Sequence, residues 1–254
     1  NMYIIADPWF YVLAVPGILL TGISKGGFAG GLSFLAVTLM AIVIPPAQAA
    51  AIVLPTLCLM DVVGFWSWRR HWDLHLFGRL MPWALLGIVI GTLMFDHLNE
   101  DVVKAMIGLL AFVFALNYYL KGRIKALWHL PEKISAALWS SLSGFTSFVS
   151  HAGGPPIMIY LLPKQLDKSV LVATLTLLFT VINYVKLVPY AYLGQLSLTN
   201  LATALILAPL APIGVRLGMW LHDRIEAAMF YRLSYAFVFI TGIKLCWDSF
   251  SKLL

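Results

Sequence analysis

Nine apolar runs follow one another along this chain, at roughly 3–23, 28–44, 47–68, 76–95, 102–120, 134–150, 168–193, 198–221 and 227–247. Several are long enough to cross a hydrocarbon core about 30 Å thick as helices rising about 1.5 Å per residue. With 61% hydrophobic and 11% charged residues, and a mean hydropathy of +0.89, the composition lies far from that of a soluble domain. The chain reads as an all-α membrane protein whose obligatory partner is the lipid bilayer. A transmembrane barrel would show short alternating segments, and none occur. No basic segment precedes the first run and no small-residue cleavage site follows it, so it is expected to be a span and not a cleaved leader. The net charge of +6 is spread over loops and spans, which suits membrane orientation and not nucleic acid as a partner. Cys58 and Cys246 both fall inside apolar runs, as inert thiols do, and no nucleotide-binding P-loop is present, so no cofactor or metal is expected.

The chain repeats itself. "PWALLGIVIGTLMFDHL" (82–98) aligns without a gap with "PLAPIGVRLGMWLHDRI" (209–225), pairing Pro82 with Pro209, Gly87 with Gly214, Gly91 with Gly218 and Asp96 with Asp223. "AGG" occurs at 29–31 and 152–154, and "AFVF" at 111–114 and 236–239. Sidedness follows from Lys and Arg, which are retained on the cytoplasmic face. Arg69, Arg70 and Arg79 mark one cytoplasmic loop, and Lys121, Arg123, Lys125 and Lys133 mark another, whereas the loops at 96–101 and 194–200 carry neither residue type. Threading the runs through these constraints starts the first half outside and the second inside. The expectation is an inverted-topology repeat of two five-helix halves, 1–121 and 134–254, joined by a cytoplasmic linker at 122–133.

Each half is expected to begin with a broken or re-entrant helical hairpin. After Gly154 only about eight residues precede Pro163, about 12 Å of helix, and Leu32 to Ile44 in the first half gives only about 20 Å. Irregular backbone at membrane depth survives where protein or a water-filled cavity surrounds it. Accessible amides at such a tip, with Pro155 at the helix start where no donor is lost, would form an anion site. Candidate substrate contacts are Ser24, Lys25, Gly26 and Gly27 at the first tip and Ser150, His151, Gly153, Gly154 and Pro155 at the second. The ordinary alternative for Gly26, Gly27, Gly30 and Gly31 is close helix packing, the reading preferred for Gly87, Gly91, Gly214 and Gly218.

Asp61 lies near the middle of 47–68, where an ionised carboxylate is costly without a partner, and is the candidate for proton coupling; pairing with Lys186 is the structural alternative. Its repeat counterpart is Asn183. Asn183 and Lys186 complete the candidate substrate site. Trp66, Trp68 and Trp72 read as an interfacial aromatic belt.

"GISKGGFAGGLSFLAV", "PPAQAAAIVLPTLCLMDVVGFWSWRRHWD", "GFTSFVSHAGGPPIMIYLLPKQLDK" and "NYVKLVPYAYLGQ" resemble the sulfite exporter TauE/SafE family of bacterial membrane proteins, over essentially the whole chain. The resemblance implies a multi-pass inner-membrane transporter for small anionic substrates such as sulfite, sulfoacetate or other sulfonates. An anion channel is one alternative. An intramembrane serine hydrolase built on Ser143, Ser150 and His151 is another, although "SLSG" lacks the leading glycine of a rhomboid-like site and an enzyme leaves the duplication unexplained. The oligomeric state is not legible in the sequence.

Overall fold

The computed structural model describes residues 4–97, 99–120 and 130–253, so residues 122–129 of the expected linker, with Arg123 and Lys125, lie outside it, as does Lys121. The described residues contain α-helices and no strand. In chain order they are α1 (Pro8–Gly27), α2 (Leu35–Met40), α3 (Pro46–Trp68), α4 (Leu74–Met94), α5 (Glu100–Tyr119), α6 (Glu132–Ser150), α7 (Gly154–Leu161), α8 (Lys168–Tyr192), α9 (Leu198–Leu207), α10 (Leu210–Arg224) and α11 (Ala227–Leu253). Among the described residues α1, α3, α4, α5, α8 and α11 are long and apolar enough to span a membrane, and α9 with α10, bent by 44°, adds a seventh span if the pair counts as one.

Local chemistry sets the helix ends. The Asp7 carboxylate accepts from Trp9 N ahead of Pro8, Asn99 accepts from Asp101 N and Val102 N, and Ser197 accepts from Asn200 N, each occupying a donor that the first turn leaves open. α2 is shorter than the Leu32 to Ile44 helix the sequence suggests. Ala29 and Gly30 take φ of +57° and +74°, and the chain then proceeds by i→i+3 turns, Ser33 N to Gly30 O and Leu35 N to Leu32 O, before six helical residues form. Pro45-Pro46 then forbids continuation, because the residue before a proline is pushed into extended backbone. A second difference concerns Pro209. Its repeat counterpart Pro82 lies inside an unbroken α4, whereas Pro209 stands at the bend between α9 and α10.

The chain divides into two compact units, each assembled from both ends of the sequence: Asn1–Phe77 with Ser169–Ile225, and Gly78–Lys168 with Glu226–Leu254. In the first unit α1 and α10 run parallel with their backbones almost touching. A Cβ at Gly22 would lie 2.9 Å from Gly214 Cα, and one at Gly218 would lie 2.2 Å from Ile23 O. α3 and α8 run antiparallel, with Cys58 beside Tyr184, Asp61 beside Asn183, and Gly64 beside Thr176.

The second unit repeats this grammar. α4 and α6 run parallel, and a Cβ at Gly87 or Gly144 would lie 1.9 Å from Ser141 O or Ala84 O. α5 and α11 run antiparallel, with Phe112 stacked on Phe239 at 5.2 Å and Tyr118 on Tyr235 at 3.6 Å between ring centroids. Glu132 ties the start of α6 to its neighbours by accepting from Arg79 (3.0 Å), Tyr160 (2.6 Å) and Lys164 (2.8 Å).

Candidate functional site

Among the described residues only three Asp, Glu, Lys or Arg side chains are buried, and all three lie in the first unit: Lys25, Asp61 and Lys186. Lys25 comes from the last turn of α1, where a cation also complements the helix dipole. Its ammonium stands 2.6 Å from Asp61 Oδ1, and 5.9 Å from the centre of the Phe179 ring. Asn183 Nδ2 donates to the other carboxylate oxygen, Asp61 Oδ2, at 2.6 Å. Lys186 follows one turn along α8, fully buried and within electrostatic reach of Lys25, Asp61 and Cys58. The cluster is occluded, since Asp61 and Lys186 expose no surface and Lys25 exposes 8%.

The structure therefore brings together four of the sequence candidates, Lys25, Asp61, Asn183 and Lys186. The carboxylate's ion-pair partner is Lys25, in place of the Lys186 pairing raised from the sequence. Periodicity along one helix cannot reveal which residue of another helix stands opposite.

The first tip is held together by its own hydroxyls and amides. Ser24 Oγ accepts from Leu32 N (2.9 Å) and Thr21 Oγ1 from Ala36 N (3.3 Å), while Phe28 N and Gly30 N both donate to Ser24 O. Those amides are engaged within the hairpin, so positive charge at this tip comes from the Lys25 ammonium. Gly26 and Gly27 belong to α1 itself, where a Cβ would lie 2.2 Å from Val215 O or 2.1 Å from Gly218 O. Glycine at these two positions is what allows α10 to approach.

Two residues absent from the sequence-derived site finish the end of α1. Trp68 Nε1 donates to Gly26 O at 3.1 Å, and His222 Nδ1 meets Gly27 O at 2.8 Å, which requires the proton on Nδ1. His222 Nε2 lies 3.2 Å from Ser169 Oγ. The Trp68 and His222 rings stack edge to face at 5.0 Å. Trp68 is 5% exposed, so it leaves the proposed belt, whereas Trp66 at 62% fits it. A tryptophan near a helix end reads as interfacial from sequence, and no local signal separates the two cases.

In the second unit, α6 ends at His151 with φ +55°, and the ring Nδ1 lies 3.2 Å from Ser147 O. Ser143 Oγ donates to Gly153 O (2.7 Å) and Thr146 Oγ1 to Ala152 O (3.0 Å), which folds the tip back on α6. Ser150 Oγ donates to Thr146 O. The hydroxyls of Ser143 and Ser150 thus donate to carbonyls. Gly153 caps α7, Gly154 is its first residue, and Pro155 its second, one place later than the sequence suggests.

Beside Cys58 and Tyr184 a cavity of about 300 Å³ opens among α3, α8 and α9, with Pro55, Leu59, Leu187 and Leu201 among its walls. Its lining is mainly apolar, and it does not include Lys25, Asp61 or Lys186.

Long apolar helices that enclose a small group of buried charges define a multi-pass membrane protein with a polar site inside its spans. The chain belongs to the sulfite exporter TauE/SafE family, a family of transporters, whose model matches residues 14–245. Comparison with curated proteins and with solved structures gives no match.

Proposed function

We propose that this protein is a secondary transporter carrying a small sulfur-containing anion, sulfite, sulfoacetate or another organosulfonate, across the bacterial inner membrane. The observation that carries this reading is the Lys25–Asp61–Asn183–Lys186 cluster, the one place among the described residues where charged side chains are buried. Ionisable groups are expensive inside spans and mark substrate and proton pathways. Lys25 and Lys186 bind the anion, Asn183 orients Asp61, and Asp61 exchanges the coupled proton. Ser24, Gly26 and Gly27 shape the end of α1 that presents Lys25. Ser150, His151, Gly153, Gly154 and Pro155 form the equivalent tip of the second repeat, proposed as substrate contacts in their own right.

Inverted repeats, 1–121 and 134–254, are supported by how equivalent helices meet. The repeat counterparts α3 and α8 are antiparallel, as are α5 and α11, which an inverted pair requires. The parallel glycine contact of α1 with α10 is matched by that of α6 with α4. An occluded site in such an architecture fits alternating access.

The test is flux. Purified protein in proteoliposomes should take up labelled sulfite or sulfoacetate saturably and respond to an imposed pH gradient, and Asp61→Asn should retain binding while losing that response. Flux that rises linearly with concentration and ignores the gradient would make the protein a channel. No movement of any sulfur oxyanion would overturn the reading.

A further inference from the structure

The cavity beside Cys58 and Tyr184 lies within one compact unit, and its construction limits what it can hold. Its floor is made of small side chains: Cys58 and Ala204, both buried, and Ala208 at the bend that ends α9. Its rim is open, since Leu59, Tyr184, Leu201 and Leu205 expose between 40% and 74% of their surface. Pro55 adds a rigid wall at a place where α3 has no backbone N–H to donate. The opening therefore faces sideways, between helices that lie in the spans. Leu201 and Ala208 stand three and ten residues into α9, about 5 and about 15 Å from its start, a depth at which a bilayer is hydrocarbon.

Water in such a space needs two to four polar partners. The polar side-chain atoms in the lining are the Cys58 thiol and the Tyr184 hydroxyl, which stands 3.5 Å from Cys58 O. No charged side chain among the described residues lines the cavity, so an ionised headgroup or a soluble anion would be desolvated there without compensation. A linear hydrocarbon matches both the lining and the depth, and a volume of about 300 Å³ lies at the lower end of the range for ligand pockets. We infer that this cavity is a binding site for one acyl chain of a bilayer phospholipid. Its position gives the occupant a role. Cys58 is one turn from Asp61 on α3, and Tyr184 and Leu187 adjoin Asn183 and Lys186 on α8. A chain seated here fills a gap that the side chains of α3 and α8 leave, and so braces the two helices against each other beside the buried charges. The site does not depend on which anion is carried; it requires that these helices lie in a membrane.

The probe is a phosphatidylethanolamine bearing a photoreactive diazirine midway along one acyl chain, incorporated with the full-length protein in nanodiscs, with cross-linked peptides read by mass spectrometry. Residues 55–59 and 201–208 should be labelled several-fold more than α5, whose exposed Met106, Leu109 and Tyr119 meet lipid without a cavity. Ala204→Phe places a ring in the floor and should lower labelling of 55–59 to the α5 level while leaving α5 itself unchanged. Wild-type labelling no greater than that of α5 would overturn the site, and so would undiminished labelling in folded Ala204→Phe. A disulfide between two copies of a Leu205→Cys variant that lacks Cys58 and Cys246 would overturn it as well, because a second copy of the chain would then cover the opening. The wild-type comparison decides the matter even where Ala204→Phe does not fold.

Discussion

Removing one member of a buried ion pair strands the other charge and costs about 3–5 kcal/mol, whereas removing both is far less disruptive. Lys25→Met and Asp61→Leu should therefore each lower the thermal stability of the detergent-purified protein, and the double variant should recover most of the loss. Simple additivity in this double-mutant cycle would show that the 2.6 Å approach carries no coupling. Trp68→Phe tests a finer point, because it keeps an aromatic ring while deleting the donor to Gly26 O together with part of the buried indole, for an expected cost of about 1–3 kcal/mol. An unchanged Tm would mean that this hydrogen bond contributes nothing to holding the end of α1. Lys25, Asp61, Asn183 and Lys186 were individually legible in the sequence, because a charge or amide within an apolar run needs a reason to be there. Their pairing was not. Trp68 and His222 were invisible as site residues, since what distinguishes them is the carbonyl each meets on α1, and that is a tertiary fact.

At the level of helices, the glycines divide by what lies opposite them. A Cβ at Gly87 or Gly218 would stand about 2 Å from a backbone carbonyl, which cannot rotate away, so Gly87→Ala and Gly218→Ala should be strongly destabilising. Gly91→Ala meets Phe148 Cδ1 at 3.0 Å, a side chain able to shift, and should be milder. Gly78 in α4 faces open space, and Gly78→Ala should be neutral or stabilising by up to about 1 kcal/mol through helix propensity. Thermal denaturation of the four variants checks the order; equal losses at Gly78 and Gly87 would contradict it. The four-residue spacing of Gly87/Gly91 and Gly214/Gly218 announces packing in the sequence itself. Gly26 and Gly27 carried the same pattern beside a break, and only the position of α10 shows that the helix continues through them. The eight residues of α7 were countable from Pro163, whereas the shortness of α2 depended on Ala29 and Gly30 adopting positive φ, which nothing in an apolar run at Ala29 foretells.

For the molecule as a whole, the charge asymmetry of its loops makes a sidedness prediction. In a variant lacking Cys58 and Cys246, a cysteine at Gln195 should react with an impermeant thiol reagent added to intact cells, and one at Arg70 should react only after the membrane is opened. The reverse labelling pattern would invert the topology. The sequence leads one to expect a division at the linker into two repeats, whereas compactness divides the chain elsewhere, at Phe77 and again at Ser169 and Ile225. Similarity between segments is read along the chain, and packing answers only to which faces meet. This interleaving has a consequence for biogenesis. The first unit waits for Gly78–Lys168 to be made before α8 exists, a delay of roughly 5–20 s at about 5–20 residues per second. Lys25 and Asp61 both belong to the early segment, so a nascent chain can neutralise each with the other before Asn183 and Lys186 leave the ribosome. Of the four residues of the cluster, Lys186 is the last to be delivered.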